Sequence, residues 1–402
     1  MALLLRSQHP NQESRRDLAL EGLRGFCALL VVCGHMTAGR GLDPGFGPTL
    51  LQINYSQAAV LVFFVISGYV IGLTVKAPAT SANVRQYCVN RLVRIVPIAW
   101  IAVLLSVALV PAAPKTVIAN LLFVQNNYTY PFGLSLPVLP NNVALWSLSC
   151  EMLYYGLFIL IWRFQPRVGT VVISMIVVSL AHFAGLSLAI SAYAYYFSFW
   201  LSGLCIAWYC SSADDITRST WITALAGSLA LWTIGPLDTL LQWVSPIPIG
   251  FPYRRFDFLL GAVSVVLAVI NRAPRLQARL SDACIMLGVG VIVLRELNGV
   301  PNSQGELIAG CVLVICFLLR GRSYPLRPLA VIAPIGTISY ALYATSDPIL
   351  RLIYDAKFLI MGSALSFGIR VMLWAVLCGG TAWILERQFY PWLRKRINFR
   401  RQ

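Results

Sequence analysis

The sequence predicts an all-α integral membrane protein with ten to twelve transmembrane helices. Of its 402 residues, 58% are hydrophobic and only 11% are charged, whereas soluble domains carry about 25% charged residues. Apolar runs of bilayer-spanning length, roughly 17–25 residues, recur along the chain. They lack the alternation of apolar and polar residues that marks transmembrane β-strands. A lipid bilayer is therefore the expected solvent.

The apolar runs define twelve candidate spans, of which 283–296 is short and could be re-entrant. The others are 19–39, 55–75, 92–110, 143–162, 168–189, 193–210, 219–235, 256–271, 305–319, 330–353 and 364–386. No linker or low-complexity segment divides them. We therefore expect one transmembrane domain over 19–386, preceded by a tail at 1–18 and followed by a basic tail at 387–402.

The positive charges are arranged as membrane topology requires. With twelve spans and the N-terminus inside, inner segments hold 22 of the 31 Lys and Arg residues, while outer segments and span ends hold eight. This excess predicts that both termini are cytoplasmic. A net charge of +16 could also indicate nucleic-acid binding, but nucleic-acid binders gather Lys and Arg in one stripe. Here they are scattered between apolar runs, so no nucleic-acid partner is expected.

The ten cysteines lie mostly inside apolar runs and show neither CxxC nor Cys/His ligand spacing. We expect them to be packing residues, with no disulfide framework and no metal site. The longest outer segment, 111–142, is rich in Pro, Asn and Tyr. It is either a plain connector or a lid over an outward-facing acceptor site.

Ionisable side chains in the first span are the first functional signal, because charges inside a bilayer are costly. Arg24 and His35 are eleven residues apart, which is about three helical turns, so they share one face with a rise of roughly 16 Å between them. Glu21 lies one turn before Arg24 on that face. A lone membrane histidine is often a packing residue. The aligned carboxylate and guanidinium, with Gly25 and Gly34 permitting close helix approach, favour a functional role for His35.

Two further groups of polar residues each have a structural and a functional interpretation. Arg91 and Arg94 share a face at the inner end of the third span, where they either anchor the topology or bind the phosphates of an anionic cytoplasmic ligand. Glu151 lies inside an apolar run with Tyr155 one turn on. A buried carboxylate must be protonated or paired with a cation, so Glu151 is either an active-site carboxylate or half of a structural Glu–Arg pair.

Six motifs, in order, resemble those of the membrane-bound acyltransferase 3 family, bacterial multi-span proteins that O-acylate envelope sugars, exopolysaccharides and some antibiotics. The motifs are LEGLRGFCALLVVCGH (20–35), FFVISGYVIG (63–72), RLVRIVP (91–97), WSLSCEMLYY (146–155), GTISYALY (336–343) and ERQF (386–389). Each motif alone is weak evidence, but together they occur in the family order along nearly the whole length of the chain. The resemblance implies a protein of the cell inner membrane that contacts lipid and acts on a carbohydrate or lipid-linked sugar acceptor.

The resemblance also implies roles for individual residues. His35 is the expected catalytic residue and Arg24 its partner in the first motif. Arg91 and Arg94 lie on the side that binds acyl-CoA, with acetyl-CoA the expected co-substrate, and Glu151 is an active-site carboxylate. The chain departs from the family at Ser346-Asp347-Pro348, where many members have a His shortly before a Pro. Smaller departures are Glu21, where Asp is common, and Gln388, which stands in place of a Pro.

The expected reaction is transfer of an acyl group from acyl-CoA to an acceptor hydroxyl, with His35 as general base or as acyl carrier. Imidazole suits either role because its charge changes near neutral pH. Glu151 or Glu21 would orient the ring, while Arg24 would anchor CoA or hold the thioester.

Two other classes of function fit part of the pattern. In a transporter or flippase, Arg24, His35 and Glu151 would form a substrate or proton path. Transporters often have two halves with matching broken helices, whereas the charged motifs here crowd the first 155 residues. In a non-catalytic membrane scaffold or receptor, neutralising His35 would not reduce the function of the protein. Consumption of the thioester of labelled acetyl-CoA distinguishes the enzyme from both.

Overall fold

A computed structural model describes residues 10–37, 55–181, 186–210, 218–244, 255–355 and 362–399. Helices form most of these segments. They are α1 Pro10–Thr37, α2 Ser56–Thr74, α3 Ser81–Leu109, α4 Pro114–Leu121, α5 Trp146–Phe164, α6 Val168–Leu180, α7 Leu188–Tyr209, α8 Trp221–Ile234, α9 Pro236–Val244, α10 Phe258–Ile270, α11 Pro274–Leu297, α12 Gln304–Leu318, α13 Arg327–Gly336, α14 Ser339–Tyr354, α15 Ala364–Trp383 and α16 Tyr390–Phe399. Short 3-10 turns cover Pro131–Gly133 and Val143–Leu145, and a π-helical stretch, Ile384–Phe389, joins α15 to α16. Two short strands, β1 Arg218–Ser219 and β2 Tyr324–Pro325, pair antiparallel.

The all-α membrane class is confirmed, but the count of ten to twelve spans is not. Within the described residues, seven helices are long and apolar enough to cross a membrane, and an eighth arises if the bent pair α13 and α14 forms one span. The seven are Leu18–Met36, Ser56–Thr74, Ser81–Leu109, Val143–Phe164, Leu188–Tyr209, Trp221–Leu241 and Ala364–Ile397.

Three predicted spans correspond to helices of only 13 to 15 residues, namely α6, α10 and α12. At 1.5 Å per residue these rise about 20–22 Å, less than the roughly 30 Å of a bilayer core. Local turn chemistry ends one of them, because Asn271 takes the left-handed conformation that terminates α10. A hydropathy profile does not detect a helix end of this kind.

The short predicted span 283–296 is the second half of a longer helix. Helix α11 has 24 residues and rises about 36 Å. Its first half carries Arg275, Arg279 and Asp282, which removes it from the apolar runs. The predicted tails are also partly helical, since α1 begins at Pro10 and α16 ends at Phe399; residues 1–9 and 400–402 lie outside the described residues.

The chain divides into two compact units. The first comprises Met1–Cys27, Leu61–Thr74 and Ser198–Gly336. In it, α8, α10, α11 and α12 pack together around Leu313 and its apolar neighbours. Helices α2 and α7 approach closely, because a Cβ added to Gly68 would lie 1.8 Å from the carbonyl oxygen of Trp200. Only glycine permits such a backbone contact between membrane helices.

The second unit comprises Ala28–Val60, Val75–Phe197 and Thr337–Gln402. Helix α14 packs on α3 and α15. The predicted outer segment 111–142 belongs to this unit. Asn120 and Gln125 are buried within it, and Gln125 Nε2 donates to the carbonyl of Leu145 at 2.7 Å. These two side chains fix parts of the segment to the unit, whereas Phe132 and Leu134 are exposed. Its action as a lid stays a prediction.

Candidate functional site

His35 is held by a carboxylate from the far end of the chain. In the second unit, Nδ1 of His35 lies 2.6 Å from Oδ1 of Asp347 on α14. The side chains are 20% and 8% exposed respectively, so the pair is largely shielded from solvent. Nδ1 has this close contact but no hydrogen bond of good geometry among the described residues. A carboxylate at this distance still favours the tautomer with its proton on Nδ1, in which Nε2 is the nitrogen that can accept a proton.

Asp347 is itself fixed by the segment that precedes α5. Its Oδ2 accepts a hydrogen bond from the backbone N–H of Ala144 at 3.3 Å. Ala144 lies in the first helical turn of this segment, where free N–H groups favour a negative charge. The carboxylate thus has one oxygen on the imidazole and the other on the backbone, which sets its orientation.

Pro348 explains how α14 is attached at this point. Proline has no N–H, so within a helix it leaves the carbonyl four residues earlier without its usual donor. That carbonyl belongs to Ala344, and it accepts a hydrogen bond from Nδ2 of Asn142 at 2.9 Å. Nearby, the hydroxyl groups of Tyr343 and Ser147 lie 2.8 Å apart. These bonds hold α14 against the start of α5 and so position Asp347.

The two carboxylates that the sequence suggested as orienting groups contact other side chains. Glu151 accepts a hydrogen bond from the hydroxyl of Tyr155 one turn on. Glu21 pairs with Arg24 at 2.8 Å within α1, in the first unit. The structure thus places Asp347 on the ring, a residue to which sequence reasoning gave no role. The sequence feature that could have identified Asp347 is an acidic residue next to a proline inside an apolar run.

Arg24 and His35 lie on one unbroken helix, α1. Their three-turn spacing therefore gives them a common face, as predicted. Gly25 also has the predicted close contact, because a Cβ there would lie 2.7 Å from the carbonyl oxygen of Ile332 in the first unit. Whether Arg24 takes part in the chemistry stays a prediction.

Arg94 is enclosed by groups from the second unit. It forms an ion pair with Glu386, whose side chain is only 1% exposed. The rings of Tyr340 and Tyr390 lie 5.8 and 5.0 Å from its guanidinium, and Glu386 also accepts a hydrogen bond from the N–H of Ala341. The predicted basic motif and closing Glu-Arg motif therefore meet. Arg94 is committed to this pair, which leaves it less available to a phosphate.

Arg91 has a more open set of partners. Its guanidinium lies 5.7 Å from the ring of Tyr87 and 5.5 Å from that of Tyr155. Its Nε is buried and has no hydrogen-bond partner within the part of the chain that the structure describes. Both arginines of the motif keep guanidinium N–H donors, so phosphate binding by Arg91 and Arg94 stays a prediction.

Glu386→Gln is expected to lower the stability of the protein by about 3 kcal/mol, because it leaves the Arg94 guanidinium without its carboxylate. The measurement is the unfolding temperature of the protein in detergent, which is monitored by the loss of the monodisperse peak in size-exclusion chromatography. The matched control is the double variant Arg94→Gln with Glu386→Gln, which removes both charges and should be more stable than the single variant. A single variant as stable as the wild-type protein would show that the pair is not structurally important.

A bundle of apolar helices that shields an imidazole–carboxylate pair defines a membrane protein with a candidate acid–base centre. Over residues 17–385 the chain matches the family model described as "Acyltransferase domain". The chain therefore belongs to the acyltransferase 3 family, as its motifs predicted.

One similar protein is "Acyltransferase MdmB" from Streptomyces mycarofaciens, which is 28% identical over 162 residues. The match covers 37% of this chain and 40% of that relative, so it spans less than half of either protein. No solved structure matches the chain significantly.

Proposed function

We propose that the protein is an O-acyltransferase that moves an acyl group, with acetyl the first candidate, from cytoplasmic acyl-CoA to a hydroxyl of a carbohydrate or related acceptor. The observation that carries this proposal is the contact between Nδ1 of His35 and the carboxylate of Asp347. It supports a ring with one nitrogen engaged and the other available for proton transfer. The proposed location of the protein is the cell inner membrane, with both termini on the cytoplasmic side.

In the proposed reaction, Nε2 of His35 takes the proton of the acceptor hydroxyl as its oxygen attacks the thioester carbonyl. The C–O bond forms and the C–S bond breaks. The proton then passes from the imidazolium to the leaving thiolate, which departs as CoA thiol. Asp347 stabilises the transient imidazolium, and a base placed in this way contributes roughly 10²–10⁴-fold to the rate.

Arg91 is our candidate for the group that binds the phosphates of the donor, because guanidinium binds phosphate oxygens with several donors at once and its Nε is unpartnered among the described residues. Arg94 supports that end of α3 through Glu386. Arg24 would anchor CoA or help to hold the thioester. Glu151, near Arg91 through Tyr155, stays a candidate active-site carboxylate.

The alternative role for His35 is that of acyl carrier, in which Nε2 itself attacks the thioester carbonyl. The C–N bond of an acyl-imidazole forms, the C–S bond breaks, and the CoA thiolate leaves with the proton that the ring gives up. The two roles differ in a measurable species. Mixing the protein with labelled acetyl-CoA in the absence of acceptor gives labelled protein only if His35 carries the acyl group. The Asp347 contact fits both roles, since either one uses an unprotonated Nε2, so this labelling result decides between them.

The proposed function is tested with purified full-length protein in nanodiscs, labelled acetyl-CoA and an extract of envelope glycans. The expected result is acceptor-dependent release of CoA thiol together with label in the glycan fraction. Mass spectrometry of glycans from cells lacking the protein should show the matching loss of acetyl groups. If no thioester is consumed with any acceptor fraction, while glycans cross the bilayer of sealed proteoliposomes that contain the protein, the transporter hypothesis replaces this one.

A further inference from the structure

A cavity of about 570 Å³ lies within the first unit, among α8, α10, α11 and α12. Its lining comes from the start of α8, the end of α10, the start of α11 and the segment after α12. The pairing of β1 with β2 lies at the same end of these helices. The cavity shares no residue with the His35 site and has no role in the proposed acyl transfer.

The lining of this cavity is positively charged. It includes Arg218, Arg272 and Arg320, against a single carboxylate from Asp282. These arginines belong to segments for which charge counting predicts a cytoplasmic position. Three guanidinium groups around one cavity repel one another, and the apolar helices beside them solvate charge poorly. A bound anion would offset both effects.

The arginines keep unused hydrogen-bond donors. Arg218 donates to the carbonyl of Ser323 at 2.8 Å, and Arg272 donates to that of Cys210 at 3.0 Å. A guanidinium has five N–H donors, so most remain available. The Nε of Arg272 is buried without a hydrogen-bond partner among the described residues.

Polarity changes along the cavity wall. Gln277 is buried, and its Nε2 donates to the hydroxyls of Ser264 and Ser281, while its Oε1 accepts from Thr220. Other parts of the lining are apolar and buried, including Leu267. A ligand that fits this wall has a charged group for the arginines and an apolar part for the rest.

We propose that this cavity binds the phosphate of an amphiphilic phosphate ester at Arg218, Arg272 and Arg320. The volume lies within the roughly 300–1,000 Å³ of small-molecule sites, so it admits a phosphate group and part of an apolar chain. Guanidinium groups favour phosphate because their paired N–H donors match its oxygens. Such a phosphate reaches the cavity either on a lipid headgroup or on a soluble ester.

The test compares binding by the full-length protein and two charge-matched double variants. Arg218→Gln with Arg320→Gln removes two exposed cavity arginines, whereas Arg279→Gln with Arg322→Gln removes two exposed arginines outside the lining. The lipid probe is dioleoyl phosphatidylglycerol, with dioleoylglycerol as the phosphate-free control, measured by native mass spectrometry. The soluble probe is coenzyme A, measured by isothermal titration calorimetry.

The cavity variant is expected to bind at least one phosphate probe about tenfold or more weakly, while the control variant stays within about twofold of the wild-type protein. Loss for phosphatidylglycerol alone identifies a lipid headgroup as the source, and loss for coenzyme A alone identifies a soluble ester. Equal binding by all three proteins, or equal loss in both variants, overturns the proposal. Ala278→Phe, which adds bulk at an exposed lining position, should reproduce the loss without removing charge.

Discussion

Replacing His35 by glutamine is expected to lower the rate of acyl transfer by about 10²–10⁴-fold, the usual contribution of a positioned base. Glutamine can still contact Asp347 through its amide but cannot take up a proton at neutral pH. We therefore expect normal expression and an unfolding temperature within a few degrees of the wild-type value. The measurement is CoA thiol release per enzyme under saturating donor.

The matched control for this variant is Cys33→Ala, an exposed position two residues earlier on the same helix. It should keep full activity. Full activity in the glutamine variant would remove His35 from the chemistry. A loss accompanied by unfolding or poor expression would instead assign the residue to packing.

Asp347→Asn is expected to reduce kcat by about 100-fold or more while leaving the KM for the acyl donor nearly unchanged. The backbone N–H of Ala144 can only donate, so the asparagine oxygen must face it. The asparagine NH₂ then faces Nδ1 of His35, which becomes an acceptor, and the ring proton moves to Nε2. In that tautomer the ring cannot accept the hydroxyl proton.

The control is Asp355→Asn, which neutralises an exposed carboxylate at the end of the same helix, where it pairs with Arg351. Its kinetic constants should match those of the wild-type enzyme. Asp347→Glu should recover part of the rate, because it restores an acceptor for Nδ1–H. If Asp347→Asn instead raises the KM with an unchanged kcat, Asp347 acts in binding and not by orienting the ring.

The helical class and the position of His35 could be predicted because both are encoded locally. Apolar content over about 20 residues defines a membrane helix, and helical spacing alone aligns Arg24 with His35. The span count could not be confirmed in this way, because helix ends depend on individual turns. Asn271, for example, takes the left-handed conformation that ends α10 after 13 residues.

The partners of the charged residues could not be read from the sequence, because pairing across helices depends on which helices pack together. Asp347 was noticed only as a departure from the family pattern. Arg94 and Glu386 both lie in recognised motifs, yet nothing in either motif indicates that they pair. Proline chemistry offered a usable clue, since Pro348 requires that the carbonyl of Ala344 find another donor, and Asn142 supplies it.

The pairing of Arg94 with a residue 292 positions later also constrains how the protein is made. At roughly 5–20 residues per second, the ribosome needs about 15–60 s to produce Glu386 after Arg94. During that interval Arg94 has no Glu386 to pair with, and His35 likewise has no Asp347. The proposed reaction centre is therefore complete only after α14 and the stretch that carries Glu386 have been synthesised, so a chain that lacks these late segments should be inactive.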